Sequence, residues 1–303
     1  MPDTPICVIA NAGSGKKGAA RIHALVEPLR AAGLNPEVRL IRHGARLTAE
    51  AERARNEGFA TIVAAGGDGT VCAVAQALAG SEAVLGIIPL GTFNFFARSL
   101  GLPETAEAAV EALIHGQVES VAAAEVNGRL FLNNASLGLY PALLEKREKV
   151  YAKYGRSRWA AYWSALRTLT TYDRPSRLRI ITDGRATHLR SPMVFVAQNA
   201  YQLEQYGLQD GVDLIRQGKL AVYVAPELRR WQVLGFSIRM FLRVARPYRD
   251  FTLEGATEVE IETRAPRRTI ARDGEREKMQ APFRFRALPA ALRVIVPSGT
   301  GAA

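Results

Sequence analysis

The stretch Val63 to Thr70, reading Val-Ala-Ala-Gly-Gly-Asp-Gly-Thr, most constrains what this chain can fold into. The run Thr61-Ile62-Val63-Ala64 predicts a buried strand. Val71, Val74, Ala75 and Leu78 follow at helical spacing, with Thr70 as the expected N-cap. Between them Gly66, Gly67 and Gly69 make a turn almost without side chains. Strand, bare turn and helix start bring backbone N–H groups to the positive end of a helix. A phosphate suits that position, by about 0.3–1 kcal/mol from the dipole alone. Asp68 is the one carboxylate in the turn, and packing does not require it. Beside bound phosphates it points to a divalent cation, because Mg²⁺ is usually held by one or two carboxylates plus phosphate oxygens.

An ordinary glycine-rich turn would account for that stretch alone, but two further turns share its setting. Ile6–Ala10 is a short strand candidate that leads into Asn11-Ala12-Gly13-Ser14-Gly15-Lys16-Lys17-Gly18. This loop is close to a Walker A sequence without being one. Ala10 stands at the leading glycine position, and Lys17 replaces the hydroxyl residue. A helix is expected near 19–32, a strand near 37–41 and a helix near 47–57. A further strand at Val84–Ile88 runs into Pro89-Leu90-Gly91-Thr92-Phe93-Asn94. Alternating strands and helices predict a parallel sheet covered on both faces. Ligands bind beyond the carboxyl ends of such strands, where all three turns fall.

After Val118 the texture changes. Short strands are expected at Ala124–Val126, Leu130–Asn133, Leu178–Thr182, Met193–Ala197, Leu220–Val224, Glu258–Thr263 and Leu292–Val296. Asn127-Gly128, Asp183-Gly184 and Asp273-Gly274 are the strongest short hairpin signals. They imply an antiparallel β-sandwich, so the expected division is an α/β domain over 1–122 and a sandwich over 123–303. A length of 303 residues agrees with two domains.

The formal charge of +11 favours an anionic partner. Two segments concentrate it. Residues 146–169 mix Lys146, Arg147, Lys149 and Arg158 with Tyr151, Trp159 and Trp163, and residues 228–248 mix Arg229, Arg239 and Arg243 with Trp231, Phe236 and Phe241. Such composition suits interfacial helices on an anionic membrane surface. Nucleic-acid binding is disfavoured, because no recognisable module accompanies these residues. Cys7 and Cys72 sit in apolar runs, which excludes a disulfide framework and argues against zinc. No export signal and no apolar run of about 18 residues is evident, so a cytoplasmic, peripherally membrane-associated protein is expected.

Gly66–Thr70 followed by Pro89-Leu90-Gly91-Thr92-Phe93-Asn94-Phe95-Phe96-Ala97-Arg98 resembles the diacylglycerol kinase catalytic-domain family, which includes bacterial lipid kinases and sphingosine kinases. The likeness continues through Phe131–Gly138 and Arg272-Asp273-Gly274-Glu275 to Arg293–Pro297. It implies a nucleotide-binding domain like that of NAD kinases and phosphofructokinases, a β-sandwich, and a cleft where ATP meets a lipid alcohol. It also leaves room for a homodimer. Under it, Gly66, Gly67, Gly69 and Thr70 hold the ATP phosphates and Asp68 acts through Mg²⁺. Asn11 and Thr92 contact nucleotide, while Lys16 and Arg98 neutralise phosphate charge. The Asp273-Gly274-Glu275 turn brings the general base, either Glu275 oriented by Asp273, the order favoured here, or the reverse.

Three positions depart from the family pattern. Phe95 stands where an aspartate usually follows the asparagine, Ala122 where one usually enters the second domain, and Gln217 in the loop that commonly binds a structural Mg²⁺. No structural Mg²⁺ is expected at Gln217. The leading expectation is an ATP- and Mg²⁺-dependent lipid kinase. The alternative is a catalytically impaired nucleotide- or lipid-binding regulator of the same fold.

Overall fold

The computed structural model describes residues 5–11, 16–138, 175–227 and 251–298, with the side chains of all but 16–18. The expected basic helices at 146–169 and 228–248, and the loop at 12–15, lie outside the described residues, as does the Lys16 side chain. The chain forms two compact units, Met1–Ala124 with Leu288–Ala303, and Glu125–Ala287. The expected division at 122/123 differs from this at its far end. The last sixteen residues, read from sequence as part of the second domain, belong to the first unit.

That first unit contains β1 (Ile6–Asn11), α1 (Lys16–Ala31), β2 (Pro36–Ile41), α2 (Leu47–Asn56), β3 (Thr61–Gly66), α3 (Asp68–Leu78), β4 (Val84–Pro89), α4 (Phe95–Ser99) and α5 (Ala106–His115). Its strands are parallel in the order β2-β1-β3-β4. The next neighbour of β4 is the far end of β16 (Phe283–Val296), where Arg293 and Val294 pair in parallel with Val84 and Leu85. Leu292, Val294 and Val296 are buried there, which is why the tail belongs to this unit. Strands buried on both faces read as continuous apolar runs, and Cys7–Ala10 and Ile62–Ala65 do so. Val8, Val63 and Ile88 pack with Val26 and Leu29 of α1 and Val110 of α5. The intervening Ile9, Ala64 and Ile87 are equally buried and point to the opposite face.

Two antiparallel sheets make up the second unit. One runs β12 (Thr252–Ala256), β11 (Leu220–Val224), β10 (Met193–Ala197), β7 (Asn134–Gly138), β14 (Arg267–Arg272), β15 (Glu275–Gln280). The other runs from the start of β16 through β13 (Glu258–Thr263) and β8 (Ser176–Thr182) to β9 (Arg185–Ser191). β5 (Gln117–Val126) pairs with β16 and with β6 (Arg129–Phe131). Helices α6 (Ala200–Gln205) and α7 (Gln209–Arg216) lie between β10 and β11. All three hairpin dipeptides turn as their sequence predicts. Asn127, Asp183 and Asp273 have φ of 49°, 44° and 46°, each followed by a left-handed glycine. Positive φ at both central residues matches the twist of a two-residue hairpin.

Candidate functional site

Parallel register places the ends of three strands side by side. Ala10 of β1 stands opposite Ala65 of β3, and Gly66 stands opposite Pro89 of β4. Asn11, Gly66 and the Gly91 turn therefore share one edge of the sheet. The helix after β3 begins earlier than its sequence suggests, because its N-cap is Gly67 and not Thr70. The Gly67 carbonyl accepts bonds from Thr70 N (2.9 Å) and Val71 N (3.1 Å), so the first turn closes without a side-chain cap. Thr70 is buried instead, its side chain filling the space that a Cβ on Gly66 would need.

The two glycine turns touch backbone to backbone. A Cβ on Gly91 would lie 2.6 Å from the Gly67 Cα, and one on Gly67 would lie 3.2 Å from the Gly91 Cα. Asn94 holds the second turn in shape. It is buried and left-handed, its Oδ1 accepts from Gly91 N at 3.0 Å, and its Nδ2 donates to Gly91 O at 3.0 Å. Its carbonyl accepts from Arg98 N, starting α4. Sequence reading did not single out Asn94 or Gly91 for this role. The usable signal was an asparagine three residues after a glycine, since asparagine tolerates the left-handed region. Asp68 joins the turns, its Oδ1 accepting from the Phe96 N–H at 3.4 Å. Thr92 is exposed, and Phe93, 61% exposed, stacks on Phe95 with centroids 5.5 Å apart. Arg98 is half-buried and reaches Glu104 at 3.2 Å.

Asp273 and Glu275 lie in the second unit, and their surroundings differ sharply. The Asp273 carboxylate accepts from Leu132 N (2.8 Å), Asn133 N (2.8 Å) and Asn134 N (3.1 Å). It thereby ties the β14–β15 hairpin to the connection between β6 and β7. A polar layer continues from there, through Asn133 to Asn199 (2.7 Å) and Asn134 to Gln202 (2.7 Å). Glu275 opens β15 and is exposed, opposite Arg272 in the hairpin register. Gln217 caps α7, its N–H donating to the Asp213 and Leu214 carbonyls before left-handed Gly218. Ala122 lies within β5, and the Phe95 ring lies against Phe93.

Residues 5–126 match the family model described as diacylglycerol kinase catalytic domain. The "Probable lipid kinase YegS-like" of Pseudomonas aeruginosa is 43% identical over 123 residues, 40% of this chain and 40% of that protein. The "Probable lipid kinase YegS" of Escherichia coli is 38% identical over 133 residues, 42% of this chain and 44% of that protein. The matched region thus spans less than half the length of these relatives. For the fold the likeness is nearly complete. A solved diacylglycerol kinase from Bacillus anthracis superposes with a TM-score of 0.72 at 24% identity, covering 98% of this chain and 99% of that one. A second structure from that organism gives 0.75 at 24% identity, covering 99% and 100%. Both parts of the expected architecture, the α/β domain and the antiparallel domain, therefore share the fold of these solved structures.

The edge of the first unit fits a triphosphate and one divalent cation. Contact between Gly67 and Gly91 leaves backbone where side chains would bar close approach, and the first amides of α3 lie beyond the helical ladder. Asp68 provides a carboxylate at that point. Among the described residues no group of three or more His, Cys, Asp or Glu side chains could hold a metal ion by itself, so phosphate oxygens would complete a cation's shell. Among the described residues no helix is long and apolar enough to cross a membrane.

Proposed function

We propose that this chain is an ATP- and Mg²⁺-dependent lipid kinase that phosphorylates a hydroxyl of diacylglycerol or a related lipid at the cytoplasmic membrane face. The observation that carries the reading is the backbone contact of Gly67 with Gly91, with Asp68 at the helix start between them. Phosphoryl transfer needs positioning and charge neutralisation more than covalent chemistry. Amides of Gly66, Gly67, Gly69 and Thr70 cradle the phosphates, and Asn11 and Thr92 contact the nucleotide. Lys16 and Arg98 offset charge, and the ion pair of Arg98 with exposed Glu104 holds it by no more than about 1 kcal/mol. Asp68 would hold Mg²⁺, which when bound neutralises charge on the transferring phosphoryl group.

The lipid oxygen bonds the γ-phosphorus as the bond to ADP breaks, and Glu275 takes the hydroxyl proton. Asp273 positions Glu275 through the hairpin turn, since its own oxygens are engaged by three backbone amides. Residues 146–169 and 228–248 hold the chain at an anionic leaflet. The test is label transfer from γ-labelled ATP to diacylglycerol in mixed vesicles. Asp68→Ala should reduce it by at least about 100-fold, in line with loss of a preorganised electrostatic contact. Unchanged transfer in that variant would refute the mechanism.

A second reading, a regulator that binds nucleotide or lipid without turnover, draws on Phe95, Ala122 and Gln217 standing where the resemblance expects carboxylates or their loop. It expects thermal stabilisation by ATP with no transfer to any lipid. Measurable transfer eliminates it.

A further inference from the structure

The outer face of the β8–β9 hairpin carries a charge arrangement not found between β13 and its neighbours β8 and β16. Along β13, β8 and β16, inward residues such as Leu178, Ile180, Val259, Ile261 and Phe285 are buried, and the alternate residues face outward. Outward charges are matched across most strands. Glu260 stands opposite Arg284 and bonds it at 2.7 Å, and Glu262 stands opposite Arg179 at 2.8 Å. Between β8 and β9 the matching stops. Register sets Arg177 directly opposite Arg190, and Arg179 directly opposite His188.

Like charges opposed across strands, as Arg177 and Arg190 are, are destabilising. Charge on an edge strand does guard against aggregation, but that purpose is served by either sign and does not call for like-signed pairs. Among the described residues a shallow groove of about 540 Å³ runs over this face, lined by Arg177, Arg179, His188, Arg190, Glu262 and Arg264. The carboxylates within reach are Glu262, already on Arg179, and Glu227, 3.5 Å from Arg190. Arg177, Arg190, Arg264 and His188 are exposed. Four arginines on one strand face present a cationic surface, whose complement is a surface of phosphates.

We propose that the outer face of β8 and β9 is a docking surface for an anionic phospholipid bilayer, held by Arg177, Arg190 and Arg264. It rests on the lipid-kinase reading only in placing the substrate in a membrane, and it adds residues other than those of the segments 146–169 and 228–248.

Co-sedimentation of the full chain with vesicles of phosphatidylglycerol and phosphatidylcholine tests it without any turnover, so failure of the kinase reading and failure of this one are distinguishable. Arg177→Gln with Arg190→Gln should weaken binding about thirtyfold, about fivefold per basic group near an anionic leaflet. Wild-type binding should fall with added salt and be absent on phosphatidylcholine alone. Arg42→Gln with Arg46→Gln removes the same charge from exposed positions in the first unit and should change binding little. Equal losses in the two double variants would overturn the proposal, as would unaltered binding in the first. Saturable binding of inorganic phosphate that disappears in the first variant, with vesicle binding intact, would make the face a site for free anions and would also overturn it.

Discussion

Single residues in this chain act through the space they leave as much as through what they touch. Gly91 is the clearest case. A methyl group there meets the Gly67 Cα and the Asn94 Oδ1, both at 2.6 Å, and one of those neighbours is backbone that cannot swing away. Gly91→Ala should cost about 1–3 kcal/mol by overpacking and abolish the thermal stabilisation given by ATP, both read in one melting experiment. The acidic hairpin separates stability from catalysis. Asp273→Ala strands three backbone amides and should destabilise the protein by at least about 1–3 kcal/mol. Glu275→Gln, at an exposed strand start, should melt like the parent yet lose lipid phosphorylation. A Glu275→Gln protein with full turnover would remove this residue from the base role. Cys7 offers a different readout. Burial pushes its thiol up to about 12, against an opposing pull from Arg39. At mildly alkaline pH it should resist thiol reagents until the domain unfolds, because the thiolate is the reactive form. Rapid labelling of the folded protein, mapped to Cys7, would contradict its burial.

At the scale of elements, turns do more than reverse the chain. The β8–β9 turn is tied to the β12–β13 connection by Asp183, whose Oδ1 accepts from Thr257 N, Thr257 Oγ1 and Glu258 N, all at 3.0 Å. The backbone bond from Glu258, with those from Thr257, holds this carboxyl below its ordinary value of 3.8. A depressed value in the folded state means the bonds stabilise fully above the ordinary carboxylate range. That stabilisation is lost as pH falls through the lower folded value. Asp183→Ala should therefore cost about 1 kcal/mol at neutral pH, modest because the site is largely solvated, and the gap from the parent should close on acidification. A gap constant down to strong acid, followed by denaturant melts, would show that the carboxylate charge plays no part. Helix α3 makes the complementary point. Its capping residue has no side chain, so the helix start stays accessible to a ligand.

Across the whole molecule, the decisive feature is that the first unit is not continuous in sequence. Its sheet ends on residues 288–298, whose Leu292, Val294 and Val296 are buried against a chain segment some two hundred positions earlier. Each such side chain contributes about 1.5–3 kcal/mol when fully buried. A fragment ending at residue 124 should therefore be insoluble or rapidly proteolysed, because β4 becomes an open apolar edge. A soluble, cooperatively melting 1–124 fragment would show that the last strand is dispensable. The charge of +11 belongs to this scale too, and its functional weight depends on where the arginines face.

The sequence by itself determined the parallel α/β unit, the Gly66–Gly69 and Gly91–Asn94 turns at one sheet edge, and the three asparagine- or aspartate-glycine hairpins. In each case the signal is local: apolar runs of strand length, helical spacing, and residues that tolerate positive φ. It did not reveal β7, β9, β12, β14 or β15, of which β9 and β15 are mostly exposed and polar, nor the placement of the last strand. β9 and β15 pair only with the adjacent arm of their own hairpin and carry no apolar run to mark them, whereas the last strand is set by pairing with β4, some two hundred positions earlier. The tertiary structure alone decided that Gly67 meets Gly91, that Asp273 is occupied by backbone amides while Glu275 is exposed, and that Arg177 faces Arg190. Contacts between residues far apart in the chain have no local signature, because what selects them is the space left when the sheets close.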